Sequence, residues 1–134
     1  MLLVLDASVA VAAVRAGEPG HAAARARLNR VLGADDTIVV PSIFLMELGS
    51  ARARRGEPES SIFEYVSRLS SAPHRIVTRG PRSAEAIMRA AVRHGLRGAD
   101  AAYVWLAERE SLPLCTLDNE MIQRGATACK IIAP

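Results

Sequence analysis

The chain has 134 residues, of which 50% are hydrophobic and 23% charged, and carries a formal net charge of +3. That length makes one ordinary domain, residues 1–134, and that balance excludes a disordered or low-complexity chain. No apolar run approaches the ~20 residues of a membrane span. The apolar residues 2–5 meet Asp6 at once and no basic region precedes them, so neither a secretory leader nor an anchor is expected, and the protein reads as soluble and cytoplasmic.

The first strand is expected at residues 2–5, a continuous apolar run suited to burial on both faces. Asp6-Ala7-Ser8 leads into a short Ala/Val-rich helix over 9–15, and Glu18-Pro19-Gly20 turns the chain into a second helix over 20–32. After a turn at 33–36, Thr37-Ile38-Val39-Val40 is β-branched and reads as the second strand. Pro41 suits the first turn of the next helix, which should run to about Arg55 and stop at Gly56. A further helix over 58–71 places Ile62, Phe63, Val66 and Leu69 on one stripe. The third strand is expected at 75–78, and a helix over 81–94 is closed by Gly95. Another helix over 98–111, a strand over 113–116, a short helix over 119–124 and a last strand from about Ala128 to Ile132 complete the chain. Short apolar strands alternating with longer helices specify a parallel sheet covered on both faces, a three-layer α/β/α sandwich.

Cys115 and Cys129 lie in apolar segments and are too few for a disulfide framework, so they are expected to be reduced core residues. Lys130 is the only lysine. The positive charge is therefore almost entirely arginine, whose fork suits phosphate, and a basic surface favours a polyanionic partner. Among the arginines, Arg52, Arg54 and Arg55 cluster at the end of a helix, and Arg79, Arg82 and Arg97 fall in predicted loops. Each is either a solvated charge or part of a phosphate-binding rim. With aromatics at 4% of the chain, and Phe44 and Phe63 expected in the core, few remain to stack unpaired bases and a stacking platform is not expected. His21, His74 and His94 have no ligand spacing and read as surface residues.

Only five aspartates occur. Asp6 ends the first strand, Asp118 follows the fourth, and Asp100 lies in the first turn of a helix; ligands collect at the carboxyl ends of strands in open parallel sheets. Glu47 interrupts the apolar stretch Ile43-Phe44-Leu45-Met46, so helix geometry leaves it partly buried. Taken singly, each Asp is also a good helix N-cap or dipole partner, and Glu47 also suits a core arginine. Taken together, four acids converge on one sheet edge, where carboxylates raise one another's pKa and resist ionisation. A divalent cation removes that conflict, and an all-oxygen carboxylate site suits Mg²⁺ or Mn²⁺ rather than zinc. A dehalogenase-like phosphatase needs a second Asp where Ser8 stands and a lysine deep in the site. A phosphorelay receiver needs an acceptor Asp after Val77, and there is no phosphate-cradling glycine loop and no Gly-x-Ser-x-Gly elbow.

Asp6-Ala7-Ser8, Glu47 in the helix after the second strand, Asp100 in Gly98-Ala99-Asp100-Ala101-Ala102-Tyr103, and Thr116-Leu117-Asp118 resemble the four acidic motifs of PIN-domain ribonucleases. Over residues 1–134 the length and order of elements are similar to those of the VapC toxins of toxin–antitoxin pairs. The resemblance implies a five-stranded parallel sheet in the order 3-2-1-4-5, with Asp6 and Asp118 side by side and Glu47 and Asp100 reaching in from helices. It implies one or two Mg²⁺ or Mn²⁺ ions held by those four acids, hydrolysis of RNA phosphodiesters to 5′-phosphate and 3′-hydroxyl ends, and supporting hydrogen bonds from Ser8 and Thr116. Asn119 and Glu120 either add a ligand or begin the last helix. A homodimer and a small VapB-like antitoxin lying across the acidic groove are implied by the same likeness. The alternative is a PIN-like module that binds RNA or a partner without turnover.

Overall fold

The computed structural model describes residues 1–78 and 80–134, so Arg79 lies outside the described residues. β1 (Leu2–Leu5) is followed by α1 (Ala7–Ala12) and α2 (His21–Leu32), then β2 (Thr37–Pro41), α3 (Ile43–Ala53) and α4 (Glu59–Ser70). β3 (Arg75–Val77), α5 (Pro81–His94), α6 (Gly98–Glu110), β4 (Leu114–Cys115), α7 (Asn119–Gly125) and β5 (Ile131–Ile132) complete the order. The strands form one sheet, β3-β2-β1-β4-β5, and every pairing is parallel.

Leu3, Val4, Leu5, Ile38, Val39 and Val40 are fully buried, as continuous apolar strands covered on both faces must be. The helices divide into two packed groups. In one, α1, α2, α3 and α4 touch one another; in the other, α5 and α7 both pack on α6, which itself lies against β1, β2 and β4. Ala101, Ala102, Tyr103, Val104, Leu106 and Ala107 are all fully buried, so the middle of α6 is enclosed nearly all round, and its alanines let it sit close to the sheet. Strand order reverses between β2-β1 and β4-β5, so the carboxyl ends of β1 and β4 meet at a topological switch point. Among the described residues no helix is long and apolar enough to cross a membrane.

Several expectations are corrected. Pro41 ends β2, paired with Val77, rather than starting a helix; the register with β1 has already ended at Val39, so its missing N–H is tolerated there. β5 is shorter than expected because the amides of Ala128 and Cys129 both donate to the Gly125 carbonyl and are held at the end of α7. Phe63 is 63% exposed, while Ile62 and Leu69 are buried; one step along a helix turns a side chain about 100° off the buried stripe. His74 is buried rather than superficial, with Nδ1 accepting the Ile38 amide at 3.3 Å, and burial lowers its pKa. Gly95 does close α5, at φ +64°, a left-handed conformation that suits glycine. Both cysteines are free, Cys115 buried and Cys129 partly so, and burial pushes each thiol up to about 11.

Candidate active site

The end of β1 carries the chain out of the sheet at Asp6, and the end of β4 does the same at Thr116, Leu117 and Asp118. The Asp6 amide donates to the Cys115 carbonyl at 3.0 Å, extending the ladder by one bond. Asp6 has extended backbone angles at the start of α1, yet its side chain makes no capping bond. Its Oδ2 instead accepts from the hydroxyls of Ser8 and Thr116, the latter at 2.8 Å. Each hydroxyl is then used twice, since Ser8 Oγ accepts the Leu117 amide at 3.2 Å and Thr116 Oγ1 accepts the Asp118 amide at 3.0 Å. Two hydroxyls thus bolt the loop after β4 onto the carboxylate after β1.

Asp118 is a true N-cap. Its Oδ1 accepts the Met121 amide at 3.0 Å, leaving Oδ2 for the cleft. Asp100 sits in the first turn of α6, 7% exposed, with Oδ2 accepting from Arg97 Nε at 3.0 Å. Glu47 comes from the middle of α3, half-buried, and takes no arginine partner among the described residues. Its Oε2 accepts the hydroxyl of Tyr103 at 2.5 Å.

Asp6, Glu47, Asp100 and Asp118 line one cleft of about 490 Å³, together with Ser8, Ser50, Arg54 and Arg97. Burial raises the pKa of Asp6 to about 6, and the charges of Glu47 and Asp100 add to the rise against the two hydroxyls. Burial likewise raises Glu47 and Asp100, partly offset by Tyr103 and Arg97 respectively. Asp6 and Glu47 have no cation within ion-pair distance among the described residues, so two partly or wholly desolvated carboxylates share a cleft with two more. Also among the described residues, no three His, Cys, Asp or Glu side chains are gathered closely enough to form a ready-made cation site. The donor chemistry nonetheless fits a hard divalent ion, being four carboxylates of which Asp6 and Glu47 have no cation partner among the described residues and Asp100 and Asp118 share only Arg97.

The arginines separate. Arg54 and Arg97 line the acid cleft. Arg55 faces Glu18 at 3.8 Å and lines an adjoining cleft that shares Ser8 and Asp118 with the first. Arg52, expected on a rim, is 7% exposed, since it lies over the Tyr65 ring at 4.1 Å and pairs with Glu57 at 2.5 Å. Arg82 lies in the first turn of α5 rather than in a loop and lines neither cleft. Tyr103 is the participant that sequence reasoning missed. It stands three residues after Asp100, the spacing that puts two helical side chains on one face.

Within this fold the chain belongs to the PIN-domain family, whose model matches residues 3–126. It is similar to ribonuclease VapC31 of Mycobacterium tuberculosis, 34% identical over 87 residues, a match that covers 60% of this chain and only 61% of the relative's length. The fold is also that of M. tuberculosis VapC20, a sarcin-ricin loop cleaving toxin, with a TM-score of 0.72 at 16% identity over 92% of this chain and 94% of that one. VapBC2 of Rickettsia felis, solved bound to a DNA fragment from its promoter, superposes with a TM-score of 0.68 at 15% identity over 100% of this chain and 99% of that one.

Proposed function

We propose that the chain is a divalent-metal-dependent endoribonuclease acting in the cytoplasm as the toxin of a toxin–antitoxin pair, a homodimer restrained by a small VapB-like antitoxin. The observation that carries the reading is the cleft itself. At the carboxyl edge of a parallel sheet, the buried Asp6 and half-buried Glu47, neither with a cation within ion-pair distance among the described residues, face Asp100 and Asp118. The kinship with VapC31 supports RNA as substrate, and the fold shared with VapBC2 supports an antitoxin partner.

Asp6, Glu47, Asp100 and Asp118 are the residues that hold one or two Mg²⁺ or Mn²⁺ ions. A bound ion supplies Lewis acidity towards water and phosphate oxygen, so no protein nucleophile is required. Ser8 and Thr116 fix the direction of the Asp6 carboxylate, and Tyr103 fixes that of Glu47. Arg54 and Arg97 at the mouth of the cleft meet the phosphate backbone, with Arg55 beside them.

The test is cleavage of end-labelled structured RNA by purified, antitoxin-free protein, with Mg²⁺ or Mn²⁺ against EDTA, beside Asp100→Asn. Metal-dependent cutting lost in the variant is expected. Metal bound without cutting of any RNA assigns the chain to the non-catalytic binding class instead. Tyr103→Phe should slow cleavage about ten-fold, the scale of losing a supporting partner of a ligand. It should cost only about 1 kcal/mol of stability, the worth of one hydrogen bond, in urea unfolding. A rate equal to wild type would remove Tyr103 from the site.

A further inference from the structure

Arg97 spans the acid cleft in a way that no other arginine does among the described residues. It immediately precedes α6, with extended backbone angles, and its side chain turns back over the helix start. Its Nε lies 3.0 Å from Asp100 Oδ2 and 3.8 Å from Glu120 Oε2, and its Nη2 lies 3.5 Å from Asp118 Oδ2. One guanidinium therefore neutralises acids from α6, from the loop after β4 and from α7. Arg54 lines the same cleft but reaches no carboxylate among the described residues.

We propose that Arg97 is a tethered counter-ion that exchanges with the divalent cation. In exchanging it couples metal loading to the binding of an RNA phosphate. The inference rests on the metal-dependent reading of the cleft given above.

Three physical points carry it. First, the two cations compete. Mg²⁺ binds carboxylate oxygen at about 2.0–2.1 Å, and Arg97 engages Asp100 Oδ2 and also Asp118 Oδ2, the oxygen of Asp118 that its cap on Met121 leaves over. Second, release is easy. The Arg97 side chain is 69% exposed, only its contact with Asp100 meets hydrogen-bond geometry, and exposed ion pairs of this kind contribute little. Third, a displaced Arg97 remains attached at the mouth of the cleft, where its fork is presented to an anion. A phosphate that engages Arg97 withdraws it from Asp100 and Asp118, and so tightens metal binding. By linkage, metal that expels Arg97 tightens phosphate binding by the same factor. The arrangement keeps Asp100 and Asp118 paired in the metal-free protein and makes metal and polyanion bind cooperatively.

The experiment measures Mn²⁺ affinity of the full chain by electron paramagnetic resonance and calorimetry, with and without a short phosphorothioate RNA, for wild type, Arg97→Gln, Arg97→Lys and Arg75→Gln. Without RNA, Arg97→Gln should bind Mn²⁺ about 3- to 10-fold more tightly, the scale of losing an exposed ion pair. Arg97→Lys should stay within about two-fold of wild type, because the charge is kept. Arg75→Gln, at the start of β3 on the opposite edge of the sheet, should leave Mn²⁺ affinity unchanged. The RNA should tighten Mn²⁺ binding to wild type and do so less for Arg97→Gln. Equal or weaker Mn²⁺ binding by Arg97→Gln, the signature of a purely structural role at the start of α6, overturns the exchange while leaving the metal reading intact. Mn²⁺ binding by none of the four proteins overturns both.

Discussion

Replacing Asp6 by asparagine is expected to abolish RNA cleavage and, in the metal-free protein, to remove a stability loss that wild type suffers as the pH rises. The catalytic loss should exceed the roughly 10- to 100-fold that follows removal of a merely supporting partner. The stability effect follows from burial. Asp6 is 4% exposed, and its carboxyl is raised from 3.8 to about 6 in the folded state. The native state then binds that proton more tightly than the unfolded state does. Stability from this group is fully present below about pH 4 and is lost as the pH rises through 6, by about 3 kcal/mol. The burial-raised carboxyls of Glu47 and Asp100 act in the same direction. Urea unfolding in EDTA from pH 4 to pH 8 reads this directly. Wild type should weaken across that range, Asp6→Asn should weaken much less, and a flat wild-type profile would refute the desolvated carboxylate.

Asp36→Asn should be the most destabilising neutralisation of a charged side chain away from the cleft. The Asp36 side chain is fully buried. It accepts from the Met1 α-amino group at 2.7 Å, from Arg27 Nη1 at 2.9 Å, and from Arg30 Nε and Nη2 at 2.8 and 3.0 Å. Arg30 above all, with the Met1 ammonium and Arg27, holds this carboxyl well below the usual carboxylate range in spite of burial. Neutralising it takes the charge out of hydrogen bonds to three cations, of which Met1 and Arg30 stay open to water, a loss of about 2–3 kcal/mol on the scale of charge-assisted hydrogen bonds. Here the sign is opposite to that of Asp6. The contribution is present above the unfolded pKa of 3.8 and disappears as the pH falls below it. The two windows meet near pH 4, where the metal-free protein should be most stable. An unfolding free energy within 1 kcal/mol of wild type at pH 7 would show that the cluster carries little.

The architecture was readable because it rests on patterns that are local. Leu2 to Leu5 and Thr37 to Val40 announce strands covered on both faces, and Gly95 announces a helix end. The order of the strands is not local, and it came from the likeness of four acidic motifs to a known family. What escaped shares one physical cause, namely that a polar side chain's role depends on a partner the sequence does not place nearby. Arg52 looks like a surface cation until Glu57 and Tyr65 enclose it. Asp36 sits in what reads as a turn, and its partners come from α2 and from the α-amino group of Met1. Tyr103 lies among apolar neighbours, and only its three-residue spacing from Asp100 hints at the cleft where its hydroxyl meets Glu47, 56 residues earlier. His74 is the same case in reverse, a titratable ring spent on one backbone amide.

The hydroxyl of Thr116, bonded at once to Asp6 and to the Asp118 amide, joins positions 110 residues apart. Its consequence lies in time rather than in space. A ribosome that has released β1, β2 and most of the helices has still not released Thr116 or Asp118, so the nascent chain carries an acid without its supports. On the nuclease reading proposed above, an emerging polypeptide of this sequence has no assembled cleft until β4 has docked beside β1.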